Sequence, residues 1–399
     1  MRIMAISGKI GSALFFGLMV ILLMMGSAQA QVTVYLEDDL KVTFSSGSFD
    51  NRNFNGDIQD VAIFIDDHRV LTADEVEVDT SGEPGTVDHV IKLLRMKNVF
   101  FDDMPLSIKE ILIQDMASNV FLDVSDKPSY LNSISDKSNF TLTGLAYSAN
   151  GVSMTLDRFA SLPFTFGVLA NGAPFIAKLG TEVENMIITP LQNRDAFAQF
   201  ISATGEPDLT LNMTQTQVNE VKNGIVSSDM ALKITMNGIG NLDAQLGVQM
   251  SLDSYNKLFM SDTYNVRPDD IEDVALDDMV INFDDHGAVN AALQMSAIKQ
   301  NVDYAVARDN IIMMMKSALG SFLPNSTKDL FPPLERFIKD SGQLRLSALP
   351  ARPFLFANAT QYIFSPEAAI KDLNLKLTHA PASEDSNAVT VQKTNAGVR

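Results

Sequence analysis

The chain contains no cysteine, so no disulfide can staple it and no thiol chemistry is open to it. A secreted eukaryotic chain of this size usually carries disulfides, whereas many bacterial envelope proteins do without them. Positive charge is also scarce: 30 Lys and Arg stand against 49 Asp and Glu, a net charge of −19 at pH 7. Phosphate-backbone binding needs clustered Lys and Arg to displace counterions, so no nucleic-acid partner is expected. The same balance opposes strong docking on anionic lipid headgroups. It leaves open the uptake of the acyl part of a lipid in an apolar groove.

Catalytic signatures are missing too. No G-x-S-x-G elbow occurs, no glycine-rich phosphate loop follows residue 30, and the four histidines (His68, His89, His286, His379) have no local serine partner. Ser254-Tyr255-Asn256-Lys257 fits the S-x-x-K pattern of penicillin-binding enzymes, but the companion S-x-N and K-T-G elements do not follow in order. The chain is therefore read as a non-enzyme without a cofactor, with a hydrolase built from dispersed residues as the weaker rival.

What is present begins with an address. Arg2 and Lys9 form a positive n-region, Ala13 to Met25 is an apolar run, and Ala28-Gln29-Ala30 is an A-x-A cleavage site before Gln31. The run is short for a bilayer span, and small residues follow it instead of a basic stop-transfer cluster. Residues 1–30 are read as a cleaved signal peptide, which places the working protein in the periplasm of a Gram-negative bacterium.

Strand signals dominate the remainder. Glu75 to Asp79 alternates polar and apolar residues, and short β-rich runs such as Val61 to Ile65, Asn241 to Met250 and Val289 to Met295 recur between turn residues. Helices are expected at Thr86 to Lys97, Asp195 to Ser202 and about Asn301 to Leu323. Ser326 to Lys339 is expected to be helical in part, broken by Pro332-Pro333, and Ser365-Pro366-Glu367 opens a last short helix. The fold class is mostly β (α+β): two tandem twisted antiparallel sheets with a few packed helices, or alternatively one elongated curved sheet. The halves are placed at 31–205 and 206–380, with a disordered tail at 381–399.

One pattern returns five times: an aliphatic residue, two mostly polar ones, an aliphatic one, then strand-forming residues. It appears at Ile58–Ile65, Ile108–Asp115, Val183–Pro190, Ile271–Asp278 and Ile370–Leu377. The acid or amide at the third place suits a bend or bulge. The copies at Asp57-Ile58 and Asp270-Ile271 match further, each followed by a strand ending in Asp-Asp-His, and a tandem duplication would explain that.

These units, with the strand Leu71 to Val78, resemble the AsmA-like and related β-groove proteins of Gram-negative envelopes. That resemblance implies long curved sheets with a hydrophobic trough and a role in handling lipids between membranes. The chain departs from the group in lacking a retained N-terminal membrane helix and in being shorter than the bridging members.

Metal readings are weighed and set aside. Asp66-Asp67-His68 and Asp284-Asp285-His286 carry ligand types, but hairpin turns account for both. Asn51 to Ile58 has the rhythm of a calcium loop, yet its twelfth position is Ala62 where a bidentate carboxylate belongs. No metal is expected, and a β-turn between two strands is. The residues proposed to line an acyl site are Phe164, Phe166, Phe175 and Ile176 around a Gly/Pro-rich stretch, and Ile311, Met313, Met314 and Met315 in the longest helix; ordinary core packing is the competing reading. The preferred function is holding or passing an apolar envelope ligand or supporting envelope assembly. The alternative is a protein–protein interaction module without a cavity.

Overall fold

A computed structural model describes residues 32–37, 40–50, 55–65, 67–82, 90–117, 134–149, 151–172, 174–191, 196–257 and 272–382. Residues 1–31, read above as carrying a signal peptide, residues 51–54 of the calcium-like segment, Asp66, His89, Asp270-Ile271 and the residues from 383 lie outside the described residues. The chain divides into two compact units, Met1–Met186 with Tyr255–Val266 and Ile187–Ser254 with Arg267–Arg399. It is mostly β, as its alternating runs require.

The first unit is an antiparallel meander. Its strands are β1 (Val32–Glu37), β2 (Leu40–Phe44), β3 (Ser46–Asp50), β4 (Asn55–Ile65), β5 (His68–Ser81), β6 (Val90–Phe101), β7 (Leu106–Ala117), β8 (Ile134–Ala149), β9 (Val152–Ser161), β10 (Thr165–Val168) and β11 (Pro174–Pro190). β2 and β3 both pair with β4, and β4 through β9 pair in sequence. β3 and β4 flank the calcium-like segment as a hairpin, Asp50 opposite Asn55.

A seam crosses this sheet. On β4 the core-facing residues are Ile58 and Val61, on β5 Ala73 and Val76, on β6 Met96 and Val99, on β7 Ile108 and Ile111, and on β8 Leu142 and Leu145. Each pair is three residues apart, although a regular strand would send residues three apart to opposite faces. The phase is reset at one row of the sheet. Gln59 faces Glu75 and Val61 faces Ala73, so Asp60 and Asp74 stand between them; Asn98 and Lys109 stand between the Lys97–Glu110 and Val99–Ile108 pairs of β6 and β7. Asp60 (φ 53°), Asn98 (φ 50°), Gly144 (φ 62°) and Asn185 (φ 51°) adopt left-handed backbone on β4, β6, β8 and β11. Asp and Asn tolerate that region through their short polar side chains. The aliphatic–polar–polar–aliphatic pattern is the sequence trace of this seam, which lets apolar residues on both sides of the row join one core.

One element is misread. Of the helix expected at Thr86 to Lys97, the described part, Val90 to Lys97, belongs to strand β6, paired on both sides. Ile91, Leu94, Met96 and Val99 are buried. A phase slip at Lys92, where the register against β5 shifts, sets the buried Ile91 and Leu94 three residues apart and imitates a helical period.

The second unit joins a meander to a helical layer. Its strands are β12 (Leu209–Lys222), β13 (Ile225–Met236), β14 (Gly240–Ser251), β15 (Ala275–Asp285), β16 (Gly342–Ala348), β17 (Phe354–Leu355) and β18 (Lys376–Ala380). Its helices are α1 (Ala196–Thr204), α2 (Ala288–Gln300), α3 (Tyr304–Phe322), α4 (Thr327–Asp340) and α5 (Pro366–Asp372). α1 packs on α2, α2 on α3, α3 on α4, and α4 on β16 and β18. Leu293, Ile312, Phe331 and Ile338 form the core of this layer. Phe337 of α4 meets Phe283 of β15 edge-on, ring centroids 6.2 Å apart.

Two expectations fail here. Val289 to Met295 is not a strand but the first half of α2, whose Val289 N–H is capped by the buried Asp285 carboxylate at 3.0 Å. Pro332 and Pro333 do not break α4; they sit inside it, and Pro333, Leu330 and Phe331 are buried. Burial of that face outweighs the lost backbone hydrogen bonds.

Candidate functional site

The five repeat copies do not share one fold. The copies at Ile58, Ile108 and Val183 lie on strands β4, β7 and β11 at the seam row. Ile370–Leu377 instead runs from the end of α5 into β18, with Asn374 left-handed (φ 46°) between them. Asp273 does not repeat the left-handed conformation of Asp60. It sits in a turn before β15 and accepts hydrogen bonds from Ser251 N (2.8 Å) and Ser254 Oγ (2.5 Å). Burial raises the pKa of this carboxyl, but the Ser251 and Ser254 hydrogen bonds outweigh that and hold it below the usual carboxylate value. The S-x-x-K serine is thereby occupied as a structural donor: Ser254 is 7% exposed and its hydroxyl is committed to Asp273.

The Asp-Asp-His turns fall in different units. His68 Nε2 lies 2.9 Å from Asp103, and His286 Nε2 lies 3.2 Å from Asp284. Asp67 is a left-handed turn residue (φ 60°), and Asp285 caps α2. Among the described residues no group of three or more His, Asp or Glu converges on a point where a metal could sit.

The residues proposed to line an acyl site also separate. Phe175 and Ile176 are buried in the first unit (9% and 6% exposed). The Phe175 ring closes over Gly167, where an added Cβ would stand 2.3 Å from it. The Ile176 carbonyl accepts from the phenol of Tyr255 at 3.5 Å. That phenol is buried, and burial pushes its pKa up to about 12. Phe164 and Phe166 are half-buried. In the second unit Ile311 and Met315 pack into the helical core, while Met313 and Met314 face solvent at 68% and 65% exposure.

A different place forms an open concavity in the surface of the first unit. At the end of the β6–β7 and β8–β9 hairpins lies an open cleft of about 380 Å³, lined by Phe100, Phe101, Met104, Leu106, Ala146 and Tyr147, with serine hydroxyls beside them. Register builds it. Phe100 faces Ser107 and Ser107 faces Ala146, while Phe101 faces Leu106 and Leu106 faces Tyr147. Adjacent phenylalanines on a strand point to opposite faces, so one of the pair cannot reach the core, and Phe100 is 50% exposed. The turn that carries Met104 and Pro105 is pinned: Asp102 accepts from Arg69 Nε at 2.5 Å, Asp103 meets His68, and Ser148 N–H donates to the Pro105 carbonyl at 3.1 Å. None of the residues proposed from the sequence lines this cleft. The available signal was the Phe100-Phe101 pair ahead of Asp102-Asp103-Met104-Pro105, an apolar doublet at a hairpin tip.

Among the described residues no helix is long and apolar enough to cross a membrane. No curated protein matches the chain. A family model described as "Uncharacterized protein" matches residues 233–380, a stretch that begins in β13 and ends at the last residue of β18.

Proposed function

We propose that the chain is a non-catalytic periplasmic protein that holds an apolar envelope ligand, an acyl chain or similar aliphatic group, in the cleft at the β6–β7 and β8–β9 hairpin tips. The cleft carries this reading: its volume lies in the range of small-ligand pockets, and aromatic and aliphatic side chains line it with a few hydroxyls to orient a polar end. The A-x-A leader supports the compartment, and the acidic balance supports recognition of the apolar part of a lipid over its headgroup. The long antiparallel strands of the first unit are in keeping with the β-groove proteins that the repeat resembles. Mass spectrometry of an organic extract of the protein, purified without detergent from cells that export it, tests the reading. A stoichiometric acyl-bearing species is expected in the extract of the wild type and depleted in that of Ala146→Trp, whose indole fills the cleft. Extracts free of any such species would overturn it.

A second reading, an interaction module, is favoured by one observation. Ile298, Val306, Met313, Met314 and Phe322 are exposed on the helical layer, at 79%, 46%, 68%, 65% and 74%.

A further inference from the structure

The cleft at the β6–β7 and β8–β9 hairpin tips has a polar side that the fold leaves unused. Phe100, Ser107 and Ala146 stand abreast on β6, β7 and β8. Ser148, two residues beyond Ala146, shares their face, and Ser153 stands opposite Ser148 on β9. Cross-strand neighbours have Cβ atoms about 5 Å apart, so these two hydroxyls sit side by side at the edge of an apolar floor. Serines elsewhere in the first unit are committed. The Ser45 hydroxyl donates to Asp60, that of Ser138 donates to the Asp115 carbonyl, and that of Ser161 accepts from Phe140 N–H. Among the described residues, the hydroxyls of Ser107, Tyr147, Ser148 and Ser153 have no such partner.

The charges around the cleft are acidic or already engaged. Neither lysine, arginine nor histidine is among the residues that line it. Asp102 and Asp103 stand in the turn between Phe101 and Met104, and the cations that meet them, Arg69 and His68, are bonded to those carboxylates. Lys109 lies two residues beyond Ser107, but its side chain packs over Gly144. That glycine is four residues, about 13 Å along β8, from Ser148. A carboxylate or phosphate entering the cleft would shed water with no cation to replace it, beside two aspartates. A hydroxyl or ester would meet groups that both donate and accept.

Resting on the reading of this cleft as the ligand site, we propose that it selects an acyl chain with an uncharged, hydroxyl-bearing head, of the monoacylglycerol class, over the free fatty acid. The chain lies over Phe100 and Ala146, and the glycerol hydroxyls exchange hydrogen bonds with Ser148 and Ser153.

Competition against a dansyl-labelled fatty acid at about pH 7.5, where laurate is ionised, tests this. The competitors are monolauroylglycerol and laurate, equal in chain length and kept below their micelle concentrations. The glyceride is expected to displace the reporter from the wild type at roughly one-tenth the concentration that laurate needs. Ser148→Ala combined with Ser153→Ala should weaken the glyceride about tenfold, leave laurate within about twofold and keep the circular dichroism spectrum unchanged. Laurate that competes as well as the glyceride, at a site that Ala146→Trp blocks, overturns the selectivity and leaves the cleft standing. So does a double serine variant that binds the glyceride as the wild type does. A reporter bound alike by wild type and Ala146→Trp removes the cleft itself, and the selectivity with it.

Discussion

The side-chain amide of Asn98 donates to the carboxylate of Asp74 on the neighbouring strand, 2.8 Å away. The same bond recurs where Asn185 donates to Asp157 at 2.7 Å, and Ser45 donates to Asp60 at 2.5 Å. These bonds lie on the row where the first unit resets its side-chain phase. A left-handed Asn or Asp on one strand is fastened to a polar partner on the next. The row lets Ile58 and Val61, or Met96 and Val99, serve one core despite their odd spacing.

The seam can be tested by substitution at its left-handed residues. Asn98→Val puts a β-branched side chain at φ 50° and removes the bond to Asp74, so it should lower stability by about 2 kcal/mol. Asn98→Gly loses the bond but not the conformation and should cost less than about 1 kcal/mol. Urea denaturation midpoints measure both. Equal losses for the two variants would show that backbone conformation does not limit the seam.

Much of this was legible in the sequence, though in a form that invites misreading. The aliphatic–polar–polar–aliphatic unit was visible at Ile58, Ile108 and Val183. Its meaning as a phase reset was hidden, because the reset appears only when neighbouring strands align at one row. On β6 a register slip at Lys92 imitated a helix, since periodicity counts spacing and cannot see cross-strand partners. Helix α2 was mistaken for a strand because Val289, Ala291 and Leu293 alternate with polar or small residues. Capping by Asp285, four residues upstream, decided the matter. The methionine run of α3 was correctly placed in a helix, but the sequence could not say that Met313 and Met314 turn to solvent while Ile311 and Met315 turn inward. The cleft was missed because its residues come from strands about forty positions apart.

Stability should depend on acid through Asp273. Its folded pKa is depressed below the unfolded value, so its contribution is present above the unfolded carboxylate pKa, roughly 4. That contribution is lost as pH falls through the still lower folded value. Glu367, held down by the Ser326 hydroxyl and by the backbone N–H groups of Asn325 and Ser326, acts in the same direction. Asp273→Asn should lower the melting temperature at pH 7 and flatten its decline below about pH 4. Melting curves from pH 7 to pH 2.5 read both effects, on the order of a few degrees. Parallel pH profiles for wild type and variant would assign no acid-linked stability to this carboxylate.

Two glycines should respond in opposite ways to alanine. At Gly240 (φ 150°) an added Cβ would stand 2.2 Å from the Asp284 carbonyl oxygen. The backbone must shift there, at a cost of about 2–4 kcal/mol. At Gly320, in the open on α3, alanine should add up to about 1 kcal/mol of helix stability. Thermal unfolding separates the two signs.

The cleft should carry ligand uptake, and the solvent-facing methionines should not. Titrating a dansyl-labelled fatty acid into the wild type, Ala146→Trp and Met314→Asp by fluorescence tests this most directly. Saturable binding at micromolar concentration is expected for the wild type and for Met314→Asp, with a loss of about tenfold or more in Ala146→Trp, whose indole fills the space beside Phe100. No saturable binding by the wild type, or equal binding by Ala146→Trp with an unchanged circular dichroism spectrum, would contradict the cleft as the ligand site.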